Sequence, residues 1–329
     1  MDVKTVEAGV LRVQYREYGP THGWPCVMMH GFPYDVHAYA AAAPILADAG
    51  ARVIVPYMRG YGGTSFLSSK TPRSGEQAAF GADLLALMDA LGVDRAVIGG
   101  YDWGGRACCV VSALWPERVI ALVSGNSYNI QNIARSMEPA PAAAEAAHWY
   151  QYYFHSERGR RGLTEDRQDI IRHCWSLWSP KWAFGDATFE QSARAFDNPD
   201  FVDVVIHSYR HRYGLVPGDP AVAHIETRLT AQPPITIPAI TIDGDSDGVS
   251  IRSTSGHAPF FTGPHEHRTF TNIGHNIPQE CPADWAQAVL DARAMAACSW
   301  GDAAMARCVR KRARNGRATA AGKYHICKN

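Results

Sequence analysis

The sequence predicts a protein of the α/β class: a mostly parallel central sheet flanked by helices, with a helical cap inserted between two parts of the sheet. Three observations carry this. Over residues 1–127, short apolar runs alternate with segments of helical apolar spacing. Over 128–229 the strand-like runs give way to aromatic, charged, helix-spaced sequence. From 230 to 297 the first pattern returns. Alternation of this kind marks βα units, whose parallel strands must be covered on both faces. The expected division is 1–127 and 230–297 for the core, 128–229 for the cap, and 298–329 for a basic C-terminal tail expected to be disordered.

Val27 to His30 and Val53 to Pro56 are apolar runs of strand length. Phe80, Leu84, Leu87, Met88 and Leu91 recur at helical spacing. Ala96 to Gly100 predicts a strand, Arg106 to Trp115 a helix ended by Pro116, and Val119 to Ser124 the next strand. Strand-like runs are scarce from Tyr128 to Leu229. Pro233, Pro234 and Pro238 punctuate the return, followed by strands at Ile237 to Asp243 and His267 to Phe270. A closing helix is expected over Ala283 to Ala297. A helical insertion at this place lies over the strand ends, where open α/β sheets bind ligands.

Bulk properties narrow the function. The chain has 329 residues, with 32 Lys and Arg against 32 Asp and Glu. This balance makes no case for nucleic acid or an anionic membrane as the main partner. After Cys298 there are eight Lys or Arg and one acid, Asp302, so the basic stretch Arg307 to Arg317 reads as a solvated appendage. The eight cysteines show no metal-like spacing, and Cys108 and Cys109 sit in an apolar run. Neither a signal peptide nor a membrane span is visible, and the expected setting is the reducing cytoplasm.

The strongest local signal is Gly100-Tyr101-Asp102-Trp103-Gly104, with a strand before it and a helix after it. It has the form Gly-x-nucleophile-x-Gly, a sharp turn that lifts its central side chain above the sheet. The alternative is a glycine-rich turn with a solvent-facing Asp. With Asp102 central, the chemistry differs from that of a serine hydrolase. A serine attacking an alkyl carbon would leave an ether, which water does not readily cleave. A carboxylate leaves an ester, which an activated water can hydrolyse. The substrates indicated are attacked at sp³ carbon: epoxides and alkyl halides.

The base belongs late in the chain, and Gly274-His275-Asn276 lies there. The acid that orients it belongs after the preceding strand, where Asp243, Asp245 and Asp247 are candidates. Asp247 is preferred as the farthest along the loop, against the simpler reading of a turn carboxylate capping backbone amides. His30-Gly31-Phe32-Pro33 follows an early strand. The backbone N–H groups of Phe32 and Trp103 are the candidate oxyanion hole, with a cis bond before Pro33 turning the loop inward and His30 bonding the loop.

In these residues the chain resembles the soluble epoxide hydrolase branch of the α/β-hydrolase fold, over roughly 1–297. The HGFP loop, Arg59-Gly60-Tyr61-Gly62, the Asp102-Trp103 turn and Gly274-His275 match in order. The resemblance implies two cap tyrosines that donate to the epoxide oxygen. Tyr150 matches the first within Tyr150-Gln151-Tyr152-Tyr153-Phe154. Tyr209 matches the second within Ser208-Tyr209-Arg210, although Ser208 departs from the family's tryptophan and Tyr213 stands one turn away. Either tyrosine would otherwise read as an aromatic core residue of the cap.

The expected activity is therefore hydrolysis of a small epoxide to a vicinal diol through an ester on Asp102, with no metal or organic cofactor. The expected partners are the epoxide and water, with a homodimer left open. Trp149, Tyr152, Phe154 and Trp178 suggest an apolar substrate. The rivals are a dehalogenase using the same Asp and a ligand receptor that reuses the pocket. Trp103 does not separate the first from an epoxide hydrolase. Fluoroacetate dehalogenases share the HGFP loop and Arg106 but carry an arginine at the place of Trp103, which argues against a small haloacid. Asn126 stands where some haloalkane dehalogenases keep their acid.

Overall fold

The computed structural model describes residues 3–250 and 253–299. The predicted tail at 298–329 therefore falls almost wholly outside the described residues. Among the described residues, one nine-stranded sheet organises the chain. Its strands are β1 Val3–Ala8, β2 Leu11–Tyr18, β3 Trp24–Met29, β4 Ala51–Pro56, β5 Ser65–Phe66, β6 Ala96–Tyr101, β7 Val119–Gly125, β8 Ala239–Gly244 and β9 His265–Phe270. The spatial order is β1-β2-β4-β3-β6-β7-β8-β9, with β5 pairing β2. From β4 through β9 every pairing is parallel, whereas β1, β2 and β5 add an antiparallel edge.

Every strand read from the sequence is present within a few residues. The two strands that precede Val27 are an addition. Leu11, Val13 and Tyr15 alternate inward along β2, while β1 is mostly exposed, so this hairpin buries one face only. The central strands are buried on both faces: Val27, Ile54, Val97, Ile98, Leu122, Val123, Ile240 and Ile242 are almost wholly inaccessible.

The helices are α1 Ala42–Asp48, α2 Gln77–Ala90, α3 Asp102–Leu114, α4 Ala142–Ala147, α5 Trp149–His155, α6 Glu157–Glu165, α7 Arg167–Trp178, α8 Asp186–Ala193, α9 Phe201–Arg212, α10 Ala223–Leu229, α11 Ile277–Glu280 and α12 Pro282–Ser299. The pairs α2/α3 and α1/α12 pack together and against the sheet. Helices α4 to α10 all lie between β7 and β8 in the chain. None of the described helices is long and apolar enough to cross a membrane.

Parallel pairing brings the C-terminal ends of β3, β6, β7, β8 and β9 to one edge of the sheet. Met29 lies beside Gly100, Tyr101 beside Gly125, Gly125 beside Ile242, and Gly244 beside Phe270. The segments that follow these five ends carry Phe32, Asp102, Asn126, Asp247 and His275, four of them on loops and Asp102 at the start of a helix. Residues scattered through the sequence thus become neighbours above one sheet edge.

Candidate active site

Asp102 is the first residue of α3 and follows β6 without a loop. The turn forces it to φ 51, a left-handed conformation that a non-glycine residue adopts at a cost of roughly 1–3 kcal/mol. Two residues on, Gly104 lets the helix start against β3: a Cβ there would stand 2.1 Å from the carbonyl oxygen of Met29. The first-turn amides of a helix have no intrahelical acceptor, and its N-terminus favours an anion. A carboxylate at this position is therefore well placed electrostatically despite its strained backbone.

The backbone N–H of Phe32 donates to Asp102 Oδ1 at 2.8 Å. The Phe32–Pro33 peptide is cis, as anticipated. Trp103, whose amide is the other candidate oxyanion donor, adjoins Asp102 and stacks its ring on Phe32 at 5.1 Å. His30 stays beneath the loop, accepting the Met58 N–H at Nε2 (3.1 Å) and meeting the Gly31 carbonyl at Nδ1. The Arg59 segment is a structural tie, since its guanidinium forks onto both oxygens of Asp83 and also reaches Ser74.

His275 lies on the opposite side of Asp102. Its Nδ1 is 2.8 Å from Asp247 Oδ2, and its Nε2 is 3.7 Å from Asp102 Oδ2 with no other partner. Its backbone is held from the inserted helices, with its N–H shared between the Trp178 carbonyl and Ser179 Oγ. That close approach needs Gly274, whose Cβ would fall 2.5 Å from the Ser179 backbone. Of the three candidate acids, Asp247 alone reaches His275. Asp243 accepts from Thr254 N–H and Oγ, and Asp245 from the Asn272 N–H and Ser246 hydroxyl.

Asp247 takes four donors: Val249 N–H (2.7 Å) and Ser250 N–H (3.0 Å) on Oδ1, Asn126 Nδ2 (2.9 Å) and His275 on Oδ2. Asn126, read from the sequence only as a missing acid, here fixes the acid that is present. Its own φ of 63 at the end of β7 aims it across the sheet edge.

Charges inside this buried cluster support one another. Burial opposes ionisation of Asp102, but His275, Arg106 and the Phe32 N–H outweigh it and hold the carboxyl below its usual range. Asp247 is likewise held down, against burial, by His275 and the Ser250 and Val249 amides. Burial disfavours the imidazolium of His275, yet Asp247 and Asp102 together raise its pKa to about 10.

Tyr150 (α5) and Tyr209 (α9) are both buried, with ring centroids 5.3 Å apart, and both border Phe32. Burial raises both phenols, and the charge of Asp102 raises them further, so each keeps its proton. Gln151 Nε2 donates to Tyr150 Oη at 2.9 Å, which leaves the Tyr150 proton free to be given elsewhere. Tyr213 donates to the other end of the same amide at 3.1 Å, so it meets Gln151 rather than Asp102.

A cavity of about 430 Å³ is lined by Asp102, His275 and Tyr150, whereas Tyr209 is not part of its wall. The wall mixes polar side chains, among them Arg106, Asn129, Gln131, His148 and Arg212, with apolar surface from residues such as Ile130, Ala144 and Val249. The four aromatics taken from the sequence as signs of an apolar substrate, Trp149, Tyr152, Phe154 and Trp178, are not part of it. Phe154 and Trp178 instead pack around Phe32. Among the described residues no group of three His, Cys, Asp or Glu is placed to hold a metal ion.

Comparison with known proteins gives a consistent picture. Residues 25–209 match the family model described as alpha/beta hydrolase fold. A solved structure from Klebsiella pneumoniae, provisionally described as an epoxide hydrolase, superposes with a TM-score of 0.87 and 46% identity. It covers 88% of this chain, which covers 97% of it. Epoxide hydrolase A of Mycobacterium tuberculosis is 32% identical over 121 residues, 37% of this chain and 37% of that protein, so the match spans about a third of its length. A haloalkane dehalogenase of Psychrobacter cryohalolentis is 30% identical over 288 residues, 83% of this chain and 84% of that protein.

Proposed function

The chain belongs to the α/β hydrolase fold family, and from that premise we propose that it hydrolyses epoxides to vicinal diols through a covalent ester on Asp102. The observation that carries this reading is a carboxylate, not a hydroxyl, at the strained β6–α3 turn, with His275 Nε2 3.7 Å away and otherwise unpartnered. Helices α4 to α10 act as the cap, supplying Tyr150 and Tyr209.

The cycle starts with Asp102 ionised and His275 protonated. Asp102 attacks one ring carbon, the C–O bond breaks, and the developing alkoxide takes a proton from Tyr150 or Tyr209. Donors aimed at that oxygen act mainly in the transition state. Asp102 is now a neutral ester, so His275 loses one of the two charges that raised its pKa. It gives up its proton, which replaces the one taken by the alkoxide. Neutral at Nε2 and still oriented by Asp247, it then accepts a proton from water as the oxygen attacks the ester carbonyl. The Phe32 and Trp103 amides hold the carbonyl oxygen. Collapse releases the diol and restores the starting charges.

A single turnover with excess enzyme in heavy-oxygen water tests this. The first diol should be mostly unlabelled, with the label entering Asp102. A His275→Gln variant should accumulate an adduct that peptide mapping places on Asp102. Fully labelled first-turnover diol with no adduct would mean that water attacks the epoxide directly.

A second reading, dehalogenation, has its own support. The match to a haloalkane dehalogenase runs over most of the chain, and the Trp178 indole N–H is buried without a partner beside Tyr150 and His275. Bromide release from 1-bromobutane faster than any epoxide is opened would favour it.

A further inference from the structure

Two arginines on the cavity wall, Arg106 and Arg212, form no salt bridge among the described residues, although Arg106 feels the charge of Asp102. Arg106, on α3, is 9% exposed, and its Nε is buried without a hydrogen-bond partner. Its Nη1 reaches only neutral oxygens: the Asn129 carbonyl at 3.2 Å and, with the Gln131 amide turned oxygen-inward, Gln131 Oε1 at 2.8 Å. The same Gln131 oxygen accepts from Arg212 Nε at 3.1 Å. Neither guanidinium forms an ion pair among the described residues. Elsewhere the chain neutralises a buried arginine when the role is structural: Arg59, 3% exposed, is forked onto Asp83. A buried cation without an ion-pair partner is costly, and bringing a second, half-buried one to the same amide oxygen adds to the cost. Burial and then Arg212 lower the pKa of Arg106 to about 10, against the opposing pull of Asp102. His148, also on the cavity wall, is pushed down to about 4 by burial and by Arg212.

Among the described residues the only carboxylate lining the cavity is Asp102, and it is already engaged by Phe32 and His275. We propose that Arg106 and Arg212 form a subsite for a carboxylate carried by the substrate, so that the epoxides taken are epoxy acids. This rests on the reading of the site as an epoxide hydrolase. Guanidinium forks match a planar carboxylate in geometry as well as charge. Arg106 is one helical turn beyond Asp102, a separation of about 6 Å between Cβ atoms. The carboxylate therefore lies within a few bonds of the attacked carbon, and Gln131 holds the two cations in place for it.

The test compares 3-phenylglycidate with 3-phenylglycidamide, which keeps the shape and removes the charge. Wild-type kcat/KM should favour the acid by about tenfold or more, mostly through KM. Arg106→Gln and Arg212→Gln should each cut that ratio by about tenfold. Calorimetry of the wild type with 3-phenylpropanoate and 3-phenylpropanamide needs neither turnover nor a variant, and should show the same preference. Equal binding of acid and amide by the wild type overturns the subsite, whatever the variants do. If styrene oxide is hydrolysed while the acid gains nothing in turnover or binding, the subsite fails and the epoxide reading stands. If 3-phenylpropanoate is preferred while no epoxide is opened, the subsite stands and the epoxide reading fails.

Discussion

Replacing Asp247 with Asn tests the arrangement around His275 most sharply. The carboxylate meets four donors and no acceptor: two backbone N–H groups on Oδ1, and Asn126 and His275 on Oδ2. An amide has one oxygen to offer, so its NH₂ must face one of these donor pairs. Facing Val249 and Ser250, it breaks the loop that carries it. Facing His275, it favours the tautomer protonated at Nε2, which cannot accept a proton from water. Hydrogen bonds to a charged group are worth about 1.5–3 kcal/mol each, and the wrong tautomer removes the base as well. Together these should slow ester hydrolysis by about 10³–10⁴-fold, roughly 4–5.5 kcal/mol in the barrier. Ring opening needs Asp102 and the tyrosines, and should stay within about tenfold of wild type. Single-turnover mixing with excess enzyme separates the two steps, and intact-mass spectra should show the adduct accumulating. Asp243→Asn and Asp245→Asn serve as controls, because their oxygens hold Thr254, Asn272 and Ser246 instead; turnover should stay within about threefold. Turnover by Asp247→Asn within tenfold of wild type, or a loss that follows Asp243 instead, would refute this account of His275.

Other outcomes follow from the same geometry. Tyr150→Phe and Tyr209→Phe should each slow ring opening by about 5- to 150-fold, from the loss of roughly 1–3 kcal/mol per donor, and the double variant should nearly stop it. Tyr213→Phe should matter less, since Tyr213 reaches Tyr150 only through Gln151; a larger effect there in stopped-flow alkylation would move the second donor to Tyr213. His275 has a raised folded pKa, so its stabilising contribution is complete below about pH 6.5 and is lost as pH climbs towards about 10. The urea midpoint of wild type should therefore lose its advantage over His275→Gln between pH 7 and 10, and a constant gap would contradict the charged pair. Gly104→Ala should fail to give soluble folded protein, because its Cβ meets the Met29 carbonyl, whereas Gly256→Ala, with nothing within 4 Å, should melt like wild type.

Much of the fold is legible because parallel strands buried on both faces must be continuously apolar. Ala96–Tyr101, Val119–Gly125 and Ala239–Gly244 announce themselves in this way. The hairpin of Val3–Ala8 and Leu11–Tyr18 is written in a different code. One face of it meets solvent, so Lys4, Glu7, Arg12 and Arg16 interrupt the apolar residues, and only a two-residue period betrays it. The strained turn at Asp102 is legible because glycines must surround it. The choice among Asp243, Asp245 and Asp247 is a matter of loop conformation, which no local pattern encodes. Asn126 is harder still, because its role depends on the β7–β8 pairing that sets it beside Asp247.

Which residues form the cavity wall is not legible in composition. Aromatic side chains in a cap can line a pocket or join the cap to the core, and spacing is the same in both cases. Here they do the second. Phe32 sits at the centre of Trp103, Tyr150, Phe154, Trp178, Phe201 and Tyr209, a cluster that joins the inserted helices to the β3 loop. Once the aromatics are used for that joint, the remaining wall falls to residues of the β7–α4 segment, α3 and the end of α9. Arg106 could be placed beside Asp102 from helical spacing alone. Arg212 could not, because it arrives from the far end of the insertion, and a lone arginine one turn from a carboxylate reads as its salt-bridge partner. With the Gln131 amide turned oxygen-inward both guanidinium groups meet one oxygen, and with Asp102 engaged by Phe32 and His275 this is the arrangement on which the proposed carboxylate subsite rests.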